Sequence, residues 1–120
     1  ALSYPLGGKY HIAHGVSNAI LLAPVMRFNE PACRPLLAKA YDRCLRGDAK
    51  TEAEKSAAVI TRLEEIVKHL DIPTSLTEFG VPKEDLEALV ASGMEVTRLL
   101  VNNMREVTPD DARKIYREVL

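Results

Sequence analysis

Residues 51–70 read TEAEKSAAVITRLEEIVKHL, and the class of fold rests on them. Thr51 followed three residues later by Glu54 is a capping box: the threonine hydroxyl accepts from the Glu54 amide while the glutamate reaches back to the Thr51 amide. Beyond it Ile60, Leu63, Ile66, Val67 and Leu70 recur three and four apart, the period of a helix with one buried face. Such a helix needs apolar partners, and the flanking sequence supplies helices on both sides.

Downstream, Ser75 with Glu78 predicts a short helical turn closed by Gly80, and Pro82 opens a helix whose Leu86, Leu89 and Val90 face inward and which Gly93 is expected to break. A short helix over 94–100 follows, then the loop VNNMREV. Thr108 then serves as N-cap, with Pro109 at the first helical position and Asp111 in the acidic first turn, and Ala112, Ile115, Tyr116 and Val119 are buried. Upstream, a helix starts near Pro31 or Pro35, both tolerable in a first turn, and stops at Gly47. Before it Val16, Ala19, Ile20, Leu22 and Met26 share one side of a helix beginning at His14. Pro24 is expected to kink or end that helix, since it lacks an N–H and its ring presses on the Ile20 carbonyl. No alternating strand pattern occurs, so the expectation is an all-α, bundle-like domain over residues 1–120. The opening ALSYPLGG shows no cap followed by an apolar period and reads as the middle of a longer chain, hence a C-terminal fragment.

Composition narrows the function. The 120 residues are enough for one domain with a single core. Hydrophobic residues make up 47% and the formal net charge is -1, so there is no electrostatic footprint of a nucleic-acid or anionic-membrane binder. The apolar run 19–25 is too short to span a bilayer, and a cytoplasmic home is expected. Cys33 and Cys44 lack a C-x-x-C pattern; on one helix they would lie about 16 Å apart, beyond disulfide reach, so both are read as reduced core thiols.

The chemistry-bearing stretch is residues 4–29, YPLGGKYHIAHGVSNAILLAPVMRFN. His11 and His14 stand three apart at a helix start, a spacing that lets imidazoles approach one point. A transition metal nevertheless wants three or four converging ligands, and a bare H-x-x-H is weak evidence. On the residues alone, an incidental pair in a stand-alone helical interaction module remains open.

This stretch resembles the metal-site signature of the iron-containing, or group III, alcohol dehydrogenases, with a P-L-G-G turn followed by an H-G-x-x-N-A-x-L-L helix. Residues 70–93, LDIPTSLTEFGVPKEDLEALVASG, and 102–116, NNMREVTPDDARKIY, resemble later segments of the same family, so the likeness covers nearly the whole chain. The resemblance implies the helical C-terminal domain of a two-domain parent of dehydroquinate synthase-like architecture, whose N-terminal α/β domain binds NAD or NADP. It implies an oxidoreductase that interconverts an alcohol and its aldehyde or ketone, with Fe²⁺ or Zn²⁺ held by an aspartate and histidines. Of those ligands only the histidine of the H-G pair falls in this chain, as His14; the others are expected upstream. His11 matches a position not used as a ligand and is at most a cleft-lining residue. Tyr4 stands where many members carry a cleft histidine, Ala13 replaces a proline before the ligand, and Met104 replaces the proline of an N-P-R loop. Asn18, one turn beyond His14, is a candidate for orienting its ring, and Leu99 with Leu100 for lining the cleft, although both leucines also suit a core. The expected partners are the small alcohol or aldehyde, the parent's own nucleotide-binding domain and, as an open point, further copies of the chain, with neither nucleic acid nor membrane. The isolated 120 residues are expected to be inactive and to hold metal weakly or not at all.

Overall fold

The computed structural model describes residues 1–120, all helix, turn and loop without a strand. Helix α1 spans Tyr4–Tyr10, α2 His14–Cys44, α3 Glu52–His69, α4 Leu86–Met94, α5 Thr97–Leu100 and α6 Pro109–Val119, with 3-10 turns at Leu76–Phe79 and Lys83–Asp85. The all-α expectation holds.

Both predicted caps form. The Thr51 hydroxyl accepts from the Glu54 amide at 3.2 Å, and the Thr108 hydroxyl accepts from the Asp111 amide at 3.2 Å while the Asp111 carboxylate accepts from the Thr108 amide at 3.0 Å. The hydrogen bonds that the Asp111 carboxylate accepts, from the Thr108 amide first and then from the Thr108 hydroxyl at 2.8 Å, hold its carboxyl below the usual carboxylate range. Ser75 caps the first 3-10 turn and Gly80 ends it, as its sequence predicts. In α6 the four expected residues, Ala112, Ile115, Tyr116 and Val119, are all buried.

Helix α2 departs from expectation. It runs past Pro24, which is buried, without the expected break there; it is interrupted instead at Cys33, with φ -126° and ψ 17°, where two helical segments meet at a kink and the second begins with Pro35 in its first turn, near where the sequence placed a helix start. A proline removes one donor and crowds one carbonyl, yet a helix continues through it when packed neighbours hold both sides in register. Here Arg105 donates from Nη1 to the Phe28 carbonyl at 2.8 Å and lays its guanidinium 4.3 Å from the Phe28 ring centre. Asn29, buried, exchanges amide hydrogen bonds with Asn103 at 2.9 and 2.7 Å. The loop after α5 is thus strapped to α2 on the near side of the bend.

Beyond the bend, α2 and α3 form an antiparallel hairpin around Cys33, Leu37 and Ile60. Ser56, fully buried, donates to Glu30 at 2.9 Å, and Arg34 grips the same carboxylate at 2.6 and 3.0 Å. The helix ends at Cys44, not at Gly47. Gly47 instead makes room for the Tyr41 hydroxyl, which would overlap any Cβ there and which accepts from the Ala49 amide at 3.1 Å. Ile66 and Leu70 of the predicted stripe are exposed, as is Leu22 of α2. Cys44 is exposed as well, against the core reading; Cys33 is buried, its thiol donating to the Asn29 carbonyl at 3.3 Å, and burial raises its pKa.

The main core gathers Leu2 and Leu6, Ile12, Ile20 and Leu21 of α2, Leu76, Val81, Leu89 and Val90 of the α4 region, and the inner face of α6. Helix α1 was not expected. Pro5 lies in its first turn, and its stripe reduces to Leu6, fully buried, so seven residues carry too little pattern to be seen. Gly93 does not break α4 but lies buried in its last turn, where a Cβ would approach Leu2 Cδ2 and the Tyr116 hydroxyl to 3.0 Å each. Through that gap Tyr116 donates to the Leu2 carbonyl at 2.6 Å. Burial raises the Tyr116 phenol pKa well above its usual value.

Replacing Tyr116 by Phe leaves the buried Leu2 carbonyl unpaired and should cost about 1–2 kcal/mol, read by urea unfolding. The folded state holds the Tyr116 proton more tightly than the unfolded state, so that contribution is complete below about pH 10 and is lost as pH rises beyond it. The stability difference between wild type and the Phe variant should therefore narrow above about pH 10. Gly93→Leu, which drives a side chain into the same gap, should destabilise by about 2 kcal/mol or more.

Candidate functional site

The candidate site lies at the N-terminal end of α2, where α1, just before it in sequence, and the distant α5 meet it. His14 is the first residue of α2 and is exposed. Its turn is fixed from below: Ser17, fully buried, donates to the His14 carbonyl at 3.0 Å, and its amide bonds the Ala13 carbonyl at 3.0 Å. Ala13 is the N-cap residue, with φ -52° and ψ 134°, so a residue without a capping side chain starts the helix.

Helix α1 brings Tyr4 to this turn. The Tyr4 ring lies against His14, with ring centres 5.8 Å apart and planes inclined at 53°. Beneath it α1 is anchored by Leu6 and, at its far end, by Asp85, which accepts from the Tyr10 hydroxyl and from Lys9 at 3.1 Å. Those two hydrogen bonds, that from Tyr10 first, hold the Asp85 carboxyl below the usual carboxylate range.

Arg98 of α5, which sequence reasoning missed, completes the group. Its guanidinium carbon lies 5.6 Å from the Tyr4 ring centre and Nη2 is 3.5 Å from the hydroxyl. An arginine 94 positions away carries no local signal of that contact.

The other sequence-predicted residues divide. Asn18 is exposed and lines a shallow depression of about 250 Å³ with Leu2, Leu21, Leu22 and Val25. Leu99 and Leu100 are half-buried and wall a crevice of about 100 Å³ with Val25, Phe28 and Val107, so they belong as much to the core margin as to any cleft. His11 has a backbone role: it is the C-cap of α1, in the left-handed region at φ 55° and ψ 29°. No three His, Cys, Asp or Glu side chains converge anywhere in the chain. The donor set fits one position of a mixed nitrogen and oxygen coordination sphere, filled by the exposed imidazole of His14, and no more.

With this geometry in place the comparisons are decisive. Residues 1–120 match the model of the C-terminal part of the Fe-containing alcohol dehydrogenase family. The chain belongs to that family. It is 38% identical over 118 residues to long-chain-alcohol dehydrogenase 1 of Geobacillus thermodenitrificans, covering 97% of this chain and 30% of that protein. To lactaldehyde reductase of Escherichia coli K12 it is 31% identical, covering 96% of this chain and 30% of that protein. A crystal structure of 1,3-propanediol oxidoreductase superposes with a TM-score of 0.75 at 30% identity, covering 99% of this chain and 31% of that one. The chain thus spans about 30% of the length of the relatives it matches. No helix is long and apolar enough to cross a membrane.

The left-handed backbone at His11 makes a test independent of chemistry. Glycine takes that conformation freely, whereas a β-branched residue does not. His11→Gly should unfold at the same or slightly higher urea concentration, and His11→Val should lose about 1–2 kcal/mol.

Proposed function

We propose that this domain supplies one metal ligand and part of the substrate cleft to an NAD(P)-dependent, iron-type alcohol dehydrogenase that interconverts an alcohol and its aldehyde or ketone. The outward-facing His14 imidazole on the first turn of α2, in a chain of this family, is the observation that carries the reading. The remaining ligands, an aspartate and further histidines, belong on this view to the preceding part of a two-domain protein, together with the nucleotide-binding domain.

When bound, Fe²⁺ or Zn²⁺ supplies Lewis acidity toward the alcohol or carbonyl oxygen, and the nicotinamide accepts or returns the hydride. The chain's own residues have simpler tasks. His14 offers a nitrogen donor on a turn whose backbone Ser17 immobilises. Asn18, four residues on and exposed, presents an amide on the same side of the helix. Leu99 and Leu100 give an apolar margin that excludes water from a small organic substrate. The alternative, a stand-alone interaction module with an incidental H-x-x-H, loses its ground because the family match runs through every residue.

In the two-domain protein, His14→Ala should lower metal per subunit by more than about tenfold and turnover by at least about a hundredfold, with nicotinamide cofactor affinity unchanged. The control is His11→Asn, since asparagine tolerates the left-handed backbone at that position; it should keep its metal and change substrate affinity at most. Elemental analysis, cofactor titration and steady-state rates measure all three. Equal metal loss in both variants, or full metal in the His14 variant, would overturn the assignment.

A further inference from the structure

An imidazole ligand binds well only if its ring is held at the right rotation, a task commonly performed by a hydrogen bond from the second ring nitrogen to a carboxylate or carbonyl. No such bond to the His14 ring exists within this chain. What touches the ring is Tyr4, at 5.8 Å between centres and inclined at 53°.

Tyr4 is itself 44% exposed, and an exposed tyrosine turns about two bonds unless something stops it. Arg98 stops it. The guanidinium sits over the ring at 5.6 Å and reaches the hydroxyl at 3.5 Å, so it restrains both the plane and the tip of the side chain. None of the ion pairs of the chain includes Arg98, which leaves the tyrosine as its specific contact. The base of the arrangement is rigid, because Leu2 and Leu6 on either side of Tyr4 are buried and the Leu2 carbonyl is held by Tyr116.

The geometry points to a two-residue brace: Tyr4, clamped by Arg98, is a positioning residue that limits rotation of the His14 ring and so strengthens its hold on a metal. The inference rests on the reading of His14 as a ligand. The ring of Tyr4 does the holding and its hydroxyl serves Arg98, so Phe keeps most of the effect and an aliphatic side chain loses it. Arg98 acts only through Tyr4.

The test uses the two-domain protein loaded with Co²⁺, following loss of the ion to a chelator and its visible d–d bands, alongside thermal unfolding. Tyr4→Leu should speed Co²⁺ loss about threefold to tenfold and alter the bands, the size expected of an aromatic contact. Tyr4→Phe should stay within about twofold of wild type, and Arg98→Met should speed loss by about twofold to fivefold, the size of an exposed cation–π contact. The double variant Y4L/R98M should match Y4L alone, because the arginine has nothing left to hold. Wild-type Co²⁺ retention in Y4L, or additive effects in the double variant, would overturn the brace. If Y4L also lowers the unfolding temperature, Arg98→Met decides: faster Co²⁺ loss at an unchanged unfolding temperature supports the brace, and unchanged loss overturns it. Retention of Co²⁺ by His14→Ala would remove the ligand reading and the brace with it, whereas loss in His14→Ala with none in Y4L removes the brace alone.

Discussion

A single buried hydrogen bond, from the Tyr116 hydroxyl to the Leu2 carbonyl, joins residues 114 apart and fixes where the chain's first helix lies. Neither group can find water, since Tyr116 is fully buried and Leu2 nearly so. Each therefore depends on the other, and Gly93 keeps the space in which they meet. With Leu2 pinned, Leu6 drops into the core and α1 begins at Tyr4, which sets the tyrosine ring beside His14. The geometry of the candidate site thus descends from a core contact that involves none of its own side chains.

A second constraint is the course of α2, which continues through Pro24 and kinks at Cys33, between Pro31 and Pro35. Each proline deletes an amide donor, and in isolation such a helix would break. Two contacts fix the turn just before the kink: Arg105 feeds a guanidinium N–H to the Phe28 carbonyl, and the Asn29–Asn103 amide pair ties the loop after α5 to the same turn. That strap brings the loop next to α5 down on α2, and with it Arg98 arrives within reach of Tyr4. Met104, where the family carries a proline, is exposed, whereas Asn103 and Arg105 on either side make the contacts, so the replacement leaves the strap intact.

Local chemistry was legible wherever it was complete within a few residues. Thr51 with Glu54 and Thr108 with Asp111 needed only each other, and both boxes form. The inner face of α6 was legible because four apolar residues recur at helical spacing between charged ones. Helix α1 was not, with one fully buried residue in seven; nor was the purpose of Gly47 or Gly93, since a glycine that admits a distant tyrosine hydroxyl looks in sequence like one that stops a helix. In the candidate site, His14 stood out from its motif as an exposed imidazole at a helix start, while His11 hid a backbone role that its neighbours in sequence do not encode.

The sequence by itself determined the helical class, the ends of α3 and α6 and the family, because caps, periods and motifs are interactions between residues a few positions apart. Tertiary structure alone decided that α2 continues through Pro24 and kinks at Cys33, which residues of each stripe stay dry, and that Arg98, Tyr4 and His14 form one group. Those outcomes depend on which distant side chain fills a gap or ties one element to another, and such a partner exists only once the chain has closed on itself.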